Sequence, residues 1–318
     1  MEAALRTWAR VWGRRPLVDG RSFREIFDWK GASLWWMTES FLRTAPESPA
    51  CVRLVETWLR ILEAEAPDEV EPVGLPARAS VLLERAATSR GVLFHGRSRV
   101  PSSRSLVIRA WLRSFGPGAT AAPPIRTSEA SIHFLGDGIS RLPLDLVRAL
   151  RSKPARKEEA RARRRFRRSF AELRRSPGVH EAFSHRGIPF YDLAQGDLAL
   201  LLFVTLPRAV RLYEDMATLV QSARPRAAAL LVPSRDERRT LLAACAAAQV
   251  PSVVLRTGEG EEPERADGGP QPQLVLAWNG SASHEDLHEA LREAARLGVA
   301  ADPADGVELA RLEQGSGR

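Results

Sequence analysis

Three constellations in this chain of 318 residues combine residue types that could do chemistry. Trp29, Trp35 and Trp36 lie close together beside Arg24, Lys30 and Arg43. Indole faces stack on sugar rings and also settle at membrane interfaces, so Trp35 and Trp36 are candidate walls of a sugar site. Glu39 follows on the same segment. A carboxylate there could take a proton from an acceptor hydroxyl if burial raised its pKa. The competing reading has these aromatics filling the core between the first helices and Glu39 in a structural ion pair. Ser234–Arg235–Asp236–Glu237 falls where a strand hands over to a helix. Open α/β sheets bind ligands at such exits, and the helix dipole favours an anion there. Arg235 could grip a phosphate, with Glu237 beside it. Alternatively Ser234 and Glu237 form a capping box that needs no ligand. Two further strand exits hold Asp137 (in Gly136–Asp137–Gly138) and Asn279 (before Gly280–Ser281), and neither carries the glycine-rich phosphate fingerprint.

His284–Glu285–Asp286–Leu287–His288 formally matches the H-E-x-x-H pattern of zinc peptidases. That motif works from mid-helix with a third ligand downstream. Here it occupies a helix start, and no histidine follows His288. Solvated histidines are the preferred reading, and no metal and no cofactor are expected. No Ser–His–Asp order, nucleophile elbow or P-loop is visible.

The elements that must position these residues read as strand–helix units. Apolar spacing predicts helices over 33–42, 52–64 and 77–89, and a long helical stretch over 197–223 interrupted near Pro207. Strands are expected over 69–73, 91–94, 130–135, 188–193, 227–232, 251–255 and 273–278. The rhythm predicts an α/β fold of Rossmann-like parallel sheets flanked by helices, with a basic amphipathic helix inserted. We divide it into a helix-rich unit over 1–122, a strand plus basic segment over 123–186, and a second Rossmann-like unit over 187–318 with a disordered acidic loop near 259–272. No internal repeat of fixed period is visible.

Charge is concentrated in one place. The net charge is +8, and residues 153–175 hold 11 Lys or Arg against three acids, leaving 36 basic and 36 acidic residues elsewhere. Ala162, Phe166, Phe170 and Leu173 recur at helical spacing there, with Arg161, Arg164, Arg165 and Arg168 on the other side. Such a helix could lie on an anionic membrane surface, touch nucleic-acid phosphates, or simply pack its phenylalanines on a neighbour. No stacking platform or nucleic-acid motif accompanies the charge, so a membrane partner is favoured and nucleic acid is not. Two cysteines, Cys51 and Cys245, exclude a disulfide framework and read as buried thiols in a reducing compartment. No signal peptide opens the chain, and no stretch reaches the roughly 20 uncharged apolar residues of a spanning helix. The expected location is cytoplasmic, peripheral at the inner membrane.

Two stretches resemble a known family. Residues Phe23–Leu42, with Trp29–Lys30–Gly31–Ala32–Ser33–Leu34–Trp35–Trp36–Met37–Thr38–Glu39 at their centre, look like the "aromatic–x–Gly–x–Ser–x–Trp–x–x–x–Glu" entry segment of bacterial surface-carbohydrate (capsule and exopolysaccharide) glycosyltransferase-like proteins of GT-B architecture. Residues 213–258 are similar to that family's unit of helix, buried strand, polar turn, Ala-rich helix and strand ending in Gly. The likeness covers about 70 residues. The family's Gln–His–Gly triplet is Arg256–Thr257–Gly258 here, and 60 residues follow. The resemblance implies polysaccharide biosynthesis from a nucleotide-sugar donor to a glycan acceptor, in an active or a catalytically incomplete form working with a partner transferase subunit. The alternative is a non-enzymatic binding or scaffold module docking through the basic helix.

Overall fold

Tight turns with left-handed residues set the local form of three short hairpins. Asp19–Gly20, Lys30–Gly31 and Arg186–Gly187 all have positive φ at both positions. That is the backbone of the two-residue hairpin turn whose twist matches its strands, and glycine adopts it without steric cost. The computed structural model describes residues 2–96, 98, 100, 107–108, 130–136, 139–150, 152–232, 235–256, 274–277, 289 and 292. It is a mixed α/β structure, about 60% helical with small sheets and, among the described residues, no closed barrel. Two units are formed, Met1–Ala121 with Arg161–Pro207, and Ala122–Ala160 with Arg208–Arg318. The expected segment 123–186 is therefore divided between them.

In chain order the first unit begins with α1 (Glu2–Trp12), β1 (Pro16–Val18), β2 (Arg21–Ser22), α2 (Phe23–Ile26), β3 (Asp28–Trp29), β4 (Ala32–Ser33), α3 (Glu39–Thr44) and α4 (Ser48–Glu65). The parallel pair β5 (Glu69–Val70) and β6 (Leu93–Phe94) follows, with α5 (Ala77–Ser89) between them. The second unit opens with β7 (Ser131–Leu135), β8 (Ile139–Pro143) and α6 (Leu144–Ala149). The basic helix α7 (Lys153–Leu173) begins in the second unit and ends in the first, to which α8 (Pro177–Ala182), β9 (Ser184–His185), β10 (Ile188–Pro189) and α9 (Tyr191–Leu200) also belong. A π-helical turn over Leu201–Thr205 leads into α10 (Leu206–Ala223), then β11 (Ala227–Leu231), α11 (Arg235–Ala247), β12 (Ser252–Arg256) and β13 (Leu274–Ala277).

The first unit has an aromatic core. Leu5, Trp8, Ala9 and Trp12, spaced i, i+3, i+4 and i+7 on α1, are all buried. Trp12 stacks on Trp35 at 5.8 Å and meets Phe23 and Phe183 at 5.2 and 5.6 Å. Gly13 makes this possible, because a Cβ there would lie 2.3 Å from the Trp35 ring. One local device occurs twice. Phe27 ends α2 and starts a hairpin that closes when Leu34 N–H donates to the Phe27 carbonyl at 2.8 Å. Phe183 ends α8 in the same way, and Phe190 N–H donates to the Phe183 carbonyl at 2.8 Å. All four of these side chains are fully buried. The recurrence has no fixed period and is carried by shape more than by identity, so the sequence pattern conceals it. A Cβ on Gly178, in the first turn of α8, would fall 2.5 Å from the Pro16 carbonyl oxygen. Gly178→Ala is therefore expected to lower stability by about 1–3 kcal/mol, since backbone must move to admit it. An unchanged urea midpoint would refute that contact.

The second unit holds a five-stranded sheet in the order β13-β12-β11-β7-β8. β11, β12 and β13 run parallel, while β7 is antiparallel to both β11 and β8. Central β11 is buried along its whole length, as a strand covered on both faces should be. The sheet is mixed, which corrects the expectation of wholly parallel sheets. Strand β8 pairs antiparallel with β7 where the sequence pattern predicts no strand.

Three local expectations are also corrected. The 33–42 helix is a strand end and turns followed by the short α3, because Gly31 (φ 84°) commits the segment to a hairpin. The 188–193 strand ends at Pro189, and Tyr191 already opens a helix. Pro207 does not interrupt its helix. The preceding π turn shifts the ladder, with Leu206 N–H donating to the Leu201 carbonyl, just before the residue that has no N–H to donate. The continuous helix Tyr191–Ala223 is long and apolar enough to cross a membrane, but 72% of its most apolar window is buried inside the protein.

Candidate functional site

The parallel pair β5–β6 ends at a cavity. Its register sets Glu69 opposite Leu93 and Val70 opposite Phe94, and His95 N–H continues the ladder to the Val70 carbonyl at 2.9 Å. Side chains alternate along strands, so Glu69 and Glu71 share one face of their strand while Leu93 and His95 share one face of the other. His95 Nε2 lies 3.0 Å from Glu69 Oε2, with both side chains more than half exposed. A neutral imidazole that donates from Nε2 to this carboxylate keeps its lone pair on Nδ1. The cavity, about 370 Å³, is lined by Glu71, Pro72, Leu75, Ser80, His95 and Ser98, among others. That volume is within the range of small-molecule sites. Ser98 donates to Glu84, fixing one wall. Helix α5 begins at Ala77 on the rim, and its N-cap residue Pro76 supplies no side-chain cap. Leu93 (64% exposed) and Val73 (80% exposed) add apolar surface on the neighbouring chain. Chemically, this is a polar pocket with a carboxylate-oriented imidazole and a hydroxyl at strand ends, suited to hydroxyl-bearing ligands.

The residues singled out from the sequence lie elsewhere. Trp35 and Trp36 are 1% and 5% exposed, so they are core residues and not the wall of a sugar site. The physical reason is the aromatic cluster on α1, which takes the Trp35 face that a sugar would have used. Arg24 lies 4.2 Å over the Trp36 ring. Glu39 is the first residue of α3, and its side chain lies outside the described residues. Arg235 begins α11, again with its side chain outside them. Glu237 binds Arg148 through both oxygens, at 2.6 and 2.9 Å. That hydrogen bond leads the effects that raise the Arg148 pKa. Asp137, Asn279, Ser234, His284 and His288 lie outside the described residues. Trp35, Trp36 and Glu39 belong to the first unit; Arg235 and Glu237 belong to the second. Arg161, Arg164, Arg165 and Arg168 are exposed on α7, and Arg165 donates to the carbonyls of Asp28 and Ile26 at 2.9 and 3.2 Å. Among the described residues no three His, Cys, Asp or Glu side chains are grouped to hold a metal ion.

Two groups escaped the sequence reading. His95 stands one residue past a recognised strand, a position that marks a strand exit, while its partner Glu69 opens the strand paired with it. Asp197 is fully buried and accepts from Ser48 N–H (2.5 Å), Ser48 Oγ–H (2.6 Å) and Glu47 N–H (3.1 Å). It caps α4 from a distant helix, since Glu47 supplies no side-chain cap. A carboxylate within an apolar helical run was its signal. No family model, curated protein or solved structure matches this chain.

Proposed function

We propose that the protein is a glycosyltransferase-like protein of bacterial surface-polysaccharide assembly, built on a Rossmann-like, GT-B-like plan and working at the cytoplasmic face of the membrane. Two features support this. The segments that resemble that family fold into a hairpin-and-aromatic core and a parallel β11–α11–β12 unit. The observation that carries the reading is the cavity at the ends of β5 and β6, with His95 held by Glu69. An acceptor hydroxyl in that cavity gives its proton to His95 Nδ1 as its oxygen attacks the anomeric carbon of a nucleotide sugar. The bond from that carbon to phosphate breaks, and the nucleotide leaves with the electron pair. His95 takes over the role that the sequence suggested for Glu39. The Gln–His pair missing before Gly258 weakens the donor side, so a partner transferase subunit supplying donor contacts belongs to the same proposal.

The test is transfer from a panel of sugar nucleotides to glycan acceptors, with the protein alone and with the products of neighbouring genes. His95→Gln is expected to lower turnover by about 10²–10⁴-fold, the usual worth of a positioned base. Ser80→Trp, which fills the cavity, is expected to abolish acceptor binding. Absence of transfer in both formats removes the enzyme reading. Full turnover in His95→Gln removes the assignment of the base.

A further inference from the structure

We infer that the outward face of α7 is a docking surface for an anionic bilayer, and that it adsorbs by charge without inserting. The inference is independent of the transferase reading.

The apolar side of α7 is already committed to the fold. Ala155, Ala162, Phe166, Phe170 and Leu173 form one buried stripe along the helix. Phe166 meets Phe27 at 5.6 Å, and Phe170 meets Phe203 at 5.0 Å. An interfacial helix buries such residues in the headgroup region, and here they are not available. The sequence-based picture of an amphipathic helix lying in lipid is replaced by one that can offer lipid only its polar side.

That side is a row of cations. Lys157, Arg161, Arg164 and Arg168 follow one another at spacings of four, three and four residues, which places them on one face opposite the buried stripe. All four are exposed. At 1.5 Å per residue the row is about 16 Å long, on a helix whose rear is locked into an aromatic core. Arg165 flanks the row and is tied to the carbonyls of Ile26 and Asp28. Of the three acids, Glu159 lies furthest from the row round the helix, while Glu158 borders it three residues before Arg161 and Glu172 borders it four residues after Arg168. Outside residues 153–175 the chain has as many acids as bases, so the excess positive charge is carried by this helical segment.

A straight, rigid row of point charges matches a plane of anionic headgroups, because every member reaches the plane together. A single-stranded nucleic acid would need aromatic platforms for its bases, and no aromatic residue is among the exposed large hydrophobics of the described residues. Near an anionic membrane each basic residue strengthens binding about fivefold, so removing four costs on the order of a few hundredfold.

The experiment is co-sedimentation of the full chain with vesicles of pure phosphatidylcholine, and of phosphatidylcholine with 30 mol% phosphatidylglycerol (roughly the anionic content that gives a strong surface potential), across a salt series. The expected result is binding to the anionic vesicles alone, released by salt, with tryptophan fluorescence unquenched by brominated acyl chains. The variant Lys157→Gln/Arg161→Gln/Arg164→Gln/Arg168→Gln is expected to lose that binding while keeping the wild-type melting curve. Arg6→Gln/Arg10→Gln/Arg21→Gln/Arg53→Gln removes equal charge from other exposed positions and is expected to keep it. Equal binding to neutral vesicles, equal loss in both variants, quenching by brominated lipid, or tighter binding to duplex DNA or RNA than to the anionic vesicles at the same salt would each overturn the inference.

Discussion

Truncation of Trp35 to alanine is expected to remove a large share of the first unit's stability, not to leave a well-folded protein with weakened sugar binding. The indole is 1% exposed, stacks on Trp12 and meets Phe23 edge-on at 5.7 Å. Losing a buried aromatic of this size costs about 3–5 kcal/mol, because the surroundings relax only partly into the space. Typical domains have only about 5–15 kcal/mol in total. Trp35→Phe is expected to cost much less. The indole N–H is buried with no hydrogen-bond partner among the described residues, so a phenyl ring forfeits volume without removing a hydrogen bond. Denaturant unfolding followed by near-ultraviolet circular dichroism distinguishes the two variants. A well-folded Trp35→Ala protein that has lost glycan binding would restore the sugar-platform reading.

Removal of the Asp197 carboxylate is expected to be comparably severe. Asp197→Ala leaves Ser48 N–H, Glu47 N–H and the Ser48 hydroxyl without their acceptor beneath α4. Each buried donor so orphaned costs about 1–3 kcal/mol, so the three together are expected to cost at least about 3 kcal/mol. The same group makes stability depend on pH. Burial pushes its pKa up to about 6 from the usual 3.8, against the opposing pull of the Ser48 hydrogen bonds and the Arg78 charge. The folded state thus holds this proton more tightly than the unfolded chain does. Its contribution is complete below pH 3.8 and is lost as pH rises through about 6. Unfolding free energy measured from pH 4 to 7 should include a downward component of order 3 kcal/mol, and Asp197→Ala should lack it. A parallel pair of pH curves for the two proteins would show that the group is not perturbed.

The sequence carried the second unit's parallel strands well because buried strands write themselves as short apolar runs bounded by turns. Windows 227–232 and 273–278 enclose β11 and β13, and 251–255 misses only the last residue of β12. It carried α5 as well, since Pro76 and Gly91 bracket an apolar period. What it could not decide was which side of an aromatic faces a partner. Trp35 has the same composition cues whether it meets a sugar or Trp12, and only the long-range approach of α1 and Phe183 settles the choice. β8 was invisible for a related reason. Its residues Ser140 and Arg141 give little apolar signal, and pairing with buried β7 makes the strand. His95 and Asp197 depend on partners 26 and 149 residues away, which local spacing does not reveal.

The discontinuous first unit sets an order for synthesis. Trp8 donates its indole N–H to the Ser184 carbonyl, and Trp12 meets Phe183 as well as Phe23 and Trp35, so the N-terminal helix completes its set of partners only after some 176 further residues. A ribosome adding about 5–20 residues per second delivers them roughly 10–35 seconds later. Throughout that interval the tryptophans of α1 lack their final cover. The nascent chain is therefore a natural client for a holding chaperone, and truncation anywhere before Phe190 should yield an insoluble product.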